Sequence, residues 1–151
     1  MRELNGIDAV KAAEGSELGT SDWREITQED VQAFADVTGD HQWIHLDVDR
    51  AEKETPFGGT IVHGFFTLSL AVPLQGEVVD YKGFKMAINY GLGKVRFPSP
   101  LPVGAKVRAT GRLGEVKEVS GGLQVTTELT FEREGGDKPV CVAELLMRLY
   151  A

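Results

Sequence analysis

The chain has 151 residues, with 16 Lys+Arg against 23 Asp+Glu and a formal net charge of −7. That acidity argues against nucleic acid as a partner, and the length and 42% hydrophobic content suit one soluble domain spanning 1–151. No apolar run reaches the ~18 residues of a membrane span.

Residues 1–20 are polar and mixed, with a short helix expected around Ile7–Ala13 and a loop after it. Ser21–Ile26 reads as a short strand with Trp23 facing inward. Thr27 then opens a helix: its hydroxyl can cap the first turn, and Asp30 three residues on gives an approximate capping box. Val31, Phe34, Ala35 and Thr38 recur at helical spacing, so one face packs inward. Gly39 can take the left-handed conformation that ends a helix, which makes Asp40 the first residue past the turn. A short polar helix is expected around Val48–Lys53, ended by Pro56, and Phe57-Gly58-Gly59 reads as a turn.

From Thr60 the character changes. Ile61, Val62, Phe65, Phe66, Leu68, Leu70, Ala71, Val72 and Leu74 leave almost no polar face. The pattern predicts a helix buried all round, with Pro73 and Gly76 near its end. After residue 83 the period becomes two. Phe84, Met86, Ile88, Tyr90 and Leu92 alternate with polar or small residues; so do Val107, Ala109 and Leu113, then Leu123 to Phe131, then Cys141 to Leu149. These are antiparallel strands that each bury one face. Ser120-Gly121-Gly122 and Gly135-Gly136-Asp137 read as hairpin turns, and Pro98, Pro100 and Pro102 force a kinked connection. The elements predict an α+β fold, a curled antiparallel sheet wrapped around a central apolar helix. Such a sheet has an edge that a second copy can pair.

The chemistry-bearing residues gather in two segments. In the first, Asp40 and His45 stand five positions apart on the loop after the helix. A carboxylate and an imidazole held there can grip one water between them, as proton transfer at neutral pH requires. The alternative is a surface carboxylate and a separately bonded histidine. His41 reads as solvated or structural, Asp47 as a structural acceptor, and Trp43 and Ile44 as packing residues. In the second segment, His63-Gly64 starts the apolar helix, where backbone N–H groups lack intrahelical partners. A ligand carbonyl can approach the N–H of a bare glycine closely; close helix packing explains Gly64 equally well. His63 reads either as a ligand contact or, in preference, as a satisfied buried histidine.

Other chemistries lack their patterns. No metal is expected, since no HExxH or His/Cys ligand spacing is present. No GxSxG elbow, GxGxxG or P-loop occurs. Cys141, the single cysteine, reads as a small buried residue of a strand; with no charged-then-apolar leader, a reduced, cytosolic setting is expected. Charge is uneven, with 5 basic against 14 acidic residues in 1–60 and 11 against 9 in 61–151. The second half offers Lys94, Arg96, Lys106, Arg108 and Arg112 either as a local anion-binding cluster or as scattered solvated charges.

The run Thr38-Gly39-Asp40-His41-Gln42-Trp43-Ile44-His45, followed by Phe57-Gly58-Gly59-Thr60-Ile61-Val62-His63-Gly64, resembles the MaoC-like dehydratase family, which includes the (R)-specific enoyl-CoA hydratases. Two motifs in order and at the right separation carry the likeness, strongest over residues 34–70. Gln42-Trp43 departs from the family's Asn-Pro and looks like the nodulation protein N-like branch, as does the stretch 88–104. A serine that supports the site in some hydratases falls near Val72 and is not carried over. The resemblance implies a hot-dog fold and a homodimer. It also implies reversible hydration of a trans-2-enoyl-CoA to an (R)-3-hydroxyacyl-CoA. Asp40 and His45 would hold the water, and the Gly64 N–H would polarise the thioester carbonyl. No metal or redox cofactor is implied, CoA being part of the substrate. Lys94 and Arg96 would meet the CoA phosphates or the partner subunit. The other readings are a hot-dog acyl-CoA thioesterase and a non-catalytic acyl-CoA-binding module.

Overall fold

The computed structural model describes residues 1–151. In chain order it contains β1 (Arg2–Asn5), α1 (Gly6–Ala12), β2 (Glu17–Thr20), β3 (Arg24–Glu25), α2 (Gln28–Thr38), α3 (Trp43–Leu46), α4 (Val48–Glu54), α5 (Gly64–Ser69), α6 (Ala71–Val78), β4 (Val79–Lys82), β5 (Met86–Arg96), β6 (Lys106–Val119), β7 (Gly122–Arg133) and β8 (Cys141–Tyr150). The main sheet runs β2-β6-β7-β8-β5 with β3 also on β6, and all its pairs are antiparallel. A separate parallel pair joins β1 to β4. This is the expected hot-dog arrangement, and none of its helices is long and apolar enough to cross a membrane.

Period-two residues of β6, β7 and β8 face the helices. Val107, Leu113, Leu123, Val125, Phe131 and Leu149 are fully buried. Gly121 takes φ +84 in the β6–β7 turn, and a Cβ on Gly122 would strike the carbonyl oxygen of Leu149, so both turn glycines are required. Cys141 is buried in β8, and burial pushes its thiol up to about 11.

Four expectations need correction. The N-terminal segment is not only helix and loop: β1 and β2 flank α1. Trp23 is half-buried beneath the Arg108 guanidinium, 4.3 Å from its ring centroid, while Ile26 takes the inward position. The apolar helix is two helices, neither buried all round. Pro73 has no N–H to bond the carbonyl of Ser69, so α5 ends and α6 restarts with the proline in its first turn. Thr67, Leu70, Ala71, Leu74, Gln75 and Val78 form one buried stripe, while Phe65 is 71% exposed and Val72 44%.

The largest departure concerns β5. Its alternating residues do not bury one face: Met86, Ile88, Tyr90 and Leu92 are all exposed. β5 is an edge strand paired only with β8, and α5 and α6 leave an open cleft of about 410 Å³ between themselves and it, floored by Leu145. Periodicity identifies an apolar strand face but not which chain covers it.

Candidate active site

The site begins at a helix stop. Thr27 and Asp30 complete a reciprocal capping box at the start of α2, and Gly39 closes its end at φ +83, as the local sequence predicts. Asp40 therefore leaves the helix axis with a half-exposed carboxylate. Its own tethers are long, 3.4 Å from its N–H to Thr38 Oγ1 and 3.4 Å from the Gln42 N–H to its Oδ1.

His45 sits in the single turn of α3 and is buried. Its Nδ1–H donates to the Ile61 carbonyl at 2.6 Å, which leaves Nε2 as the bare acceptor. Its own carbonyl accepts from Gln28 Nε2 at 2.7 Å, and Thr60 donates its hydroxyl to Gln28 Oε1 at 2.6 Å. The Ile61 N–H donates back to the Ile44 carbonyl at 3.1 Å. A single amide side chain thus joins the start of α2, the histidine turn and the 60–63 segment.

That segment brings in His63. Its Nε2–H donates to the Asp40 carbonyl at 3.0 Å and lies 4.0 Å from Asp40 Oδ2. The His45 and His63 rings stack with centroids 3.9 Å apart and planes 26° from parallel. Donor atoms of Asp40, His45 and His63 all lie within 4.8 Å of one another. The expected pair is therefore a trio. Such a set can in principle meet a cation, which ligand spacing did not indicate. Imidazole lone pairs lie in the ring plane, however, and two stacked rings with planes 26° apart keep theirs in nearly parallel planes.

Burial is the main reason His45 sits below its ordinary range; the neighbouring His63 imidazole works in the same direction, while Asp40 and the Ile61 bond oppose it. His41 faces away, as expected. It pairs with Asp36 at 3.0 Å on the surface, which raises the imidazole and lowers the carboxyl. Asp47 is structural, accepting from the Arg50 N–H as the cap of α4.

Gly64 opens α5, and a Cβ there would lie 3.2 Å from the Phe97 ring. Close packing explains its missing side chain, and its N–H is one of the helix's orphan donors. Phe57, Ile61, Gly64, Phe97, Pro98 and Leu101 line a cleft of about 340 Å³. Asp40 and His45 do not line it; the cleft reaches the trio through Ile61 and Gly64, the latter adjoining His63.

The five basic residues form no single cluster. Arg108 pairs with Glu132 at 2.5 Å and Arg112 with Glu128 at 3.2 Å across β6 and β7. Lys94 and Arg96 are exposed on β5, without a carboxylate partner, and lead into Phe97. The sequence reading missed Gln28, Thr60 and Phe97. Gln28 carries only a faint signal, a polar residue directly after the cap of α2.

The chain has named relatives. The family described as MaoC like domain matches residues 9–134. The chain belongs to the MaoC-like dehydratase family. It is 53% identical to 3-hydroxyacyl-thioester dehydratase Z of Mycobacterium tuberculosis over 152 aligned positions, covering 100% of both chains. It is 43% identical to Nodulation protein N of Rhizobium leguminosarum bv. viciae, covering 95% of this chain and 89% of that one. The solved (R)-hydratase from A. caviae involved in PHA biosynthesis superposes with a TM-score of 0.74 at 26% identity, covering 90% of this chain and 96% of that one. The expected family and its nodulation protein N-like branch are both found, and within the MaoC-like frame Asp40, His45 and His63 stand together.

Proposed function

We propose that this MaoC-like chain interconverts a trans-2-enoyl-CoA and water with an (R)-3-hydroxyacyl-CoA. The observation that carries the proposal is the gathering of the Asp40 carboxylate and the His45 imidazole, with ligand atoms within 4.8 Å of each other, His45 Nδ1 engaged by Ile61 and Gly64 next in sequence to His63 of the same group. The 53% likeness to a protein named as a 3-hydroxyacyl-thioester dehydratase supports the substrate class.

In the hydration direction, one water donates its two hydrogens to Asp40 and to His45 Nε2, which leaves a lone pair for C3. As the C3–O bond forms, the water proton passes to the pair. Electron density moves through C2 onto the thioester oxygen, where the Gly64 N–H meets it. Charge then returns to C2, which takes the proton from the pair. Water has been added across C2=C3, and neither side chain has changed its net protonation. Burial below the ordinary imidazole range keeps His45 free to accept at neutral pH.

The uncovered apolar row of β5, with Phe65 and Val72 beside it, fits pairing with a second copy that would wall the site. Lys94 and Arg96 are then the cations placed for CoA phosphates.

The test is loss of enoyl absorbance across trans-2-enoyl-CoAs from short to long, with chiral analysis of the product. The (R)-3-hydroxyacyl-CoA is expected. Thiol release without loss of the enoyl chromophore would replace this reading with a thioesterase, and tight binding without turnover would replace it with a binding module.

A further inference from the structure

His63 is 2% exposed. A carbonyl oxygen can only accept, so the bond to Asp40 O at 3.0 Å puts the ring proton on Nε2. Nδ1 then carries a bare lone pair, and it is buried with no partner. Phe34 packs on the ring at a centroid distance of 4.9 Å, and His45 stacks on it at 3.9 Å. No ligand has a path to this imidazole except past its neighbours.

An inert core histidine does not account for these facts. A buried polar atom left unpaired costs ~1–3 kcal/mol, and phenylalanine would fill the same space without it. What an imidazole supplies and a phenyl ring does not is the Nε2–H, and that hydrogen goes to the main chain of Asp40.

We infer that His63 is a positioning residue: an imidazole that tethers the Asp40 main chain through Nε2–H and sets the plane of His45 by stacking. The inference deepens the functional reading and rests on it for the roles of Asp40 and His45. Asp40 follows a left-handed glycine, and its two other local hydrogen bonds are 3.4 Å long. The bond from His63 is its shortest tether to the protein interior. Its removal lets the carboxylate move relative to His45, and misplacement by about 1 Å costs on the order of 10²-fold in rate.

The titratable groups that face the stacked rings are Asp40 and the two imidazoles themselves. α2 presents Phe34 and Gln28, which do not ionise, and its Asp36 is held on the surface by His41. α5 presents Phe66, packed on Phe34 at 5.2 Å.

Two substitutions separate the two contacts. His63→Phe keeps a ring against His45 and removes the donor; His63→Gln keeps a donor near the Nε2 position and removes the ring. We expect kcat to fall ~10–100-fold in His63→Phe with KM changed less than about 3-fold, and His63→Gln to recover part of the loss. Wild-type kcat in both variants would overturn the inference, as would a loss carried by KM alone, which would make His63 a ligand contact. Thermal melts of both report folding. Nitrogen-15 imidazole spectra of the wild-type protein test the tether without any variant: the ring hydrogen of His63 should sit on Nε2 in a hydrogen bond to Asp40, and an Nδ1–H tautomer contradicts it. A wild type that hydrates no enoyl thioester would end the functional reading and leave the spectra to judge His63.

Discussion

The side-chain amide of Gln28 donates to the main-chain carbonyl of His45 at 2.7 Å and accepts from the Thr60 hydroxyl at 2.6 Å, so the first residue of α2 holds the histidine turn in place. Gln28→Leu strands both partners. Each polar group left unpaired costs ~1–3 kcal/mol, so a lower denaturation midpoint and a roughly 10-fold fall in kcat are expected. Gln28→Glu keeps an acceptor for Thr60 but loses the donor to His45. It should recover stability more than rate, which urea melts and steady-state kinetics on the same samples will resolve.

His45 is a base held below its ordinary range by burial. The unfolded chain therefore takes up a proton more readily than the folded one. The stability linked to this group is complete above the unfolded value, near 6.5, and is lost as pH falls toward the depressed folded value. Activity should follow the same group. The acid limb of kcat/KM is expected below pH 6.5 and should be absent from the residual rate of His45→Gln. A limb above pH 6.5 would assign the titration elsewhere.

The exposed row Met86, Ile88, Tyr90 and Leu92 predicts self-association through β5. Light scattering should give a dimer for the natural chain. Ile88→Lys should shift it toward monomer and reduce turnover along with it. A monomeric natural chain would remove the pairing proposal.

Lys94 and Arg96 have no carboxylate partner, so their charge is available to phosphates. Changing both to Gln should raise KM for an enoyl-CoA several-fold and leave KM for the matching enoyl-pantetheine unchanged. Equal KM values before and after the change, for the CoA substrate, would end the phosphate role.

Local interactions made part of this site legible from sequence. The Thr27–Asp30 box and the Gly39 stop act within four residues, so the position of Asp40 followed directly. The alternation of β6, β7 and β8 was equally plain because the sheet buries one face of each. What escaped depends on partners distant in sequence. Gln28 meets His45 seventeen residues away, and His63 meets Asp40 across twenty-three. Phe97 reaches Gly64 from beyond β5. The break at Leu70 turns on a missing N–H at Pro73, which apolar periodicity does not register. The exposure of β5 escaped for a different reason, since its apolar pattern matches that of a covered strand.

The most direct test is the hydration rate of a trans-2-enoyl-CoA by the natural chain, Asp40→Asn and His45→Gln, each shown to be folded. Removal of either half of an acid–base pair should lower kcat by ~10²–10⁴-fold. The full natural rate in either variant would contradict the claim that these two side chains jointly activate the water.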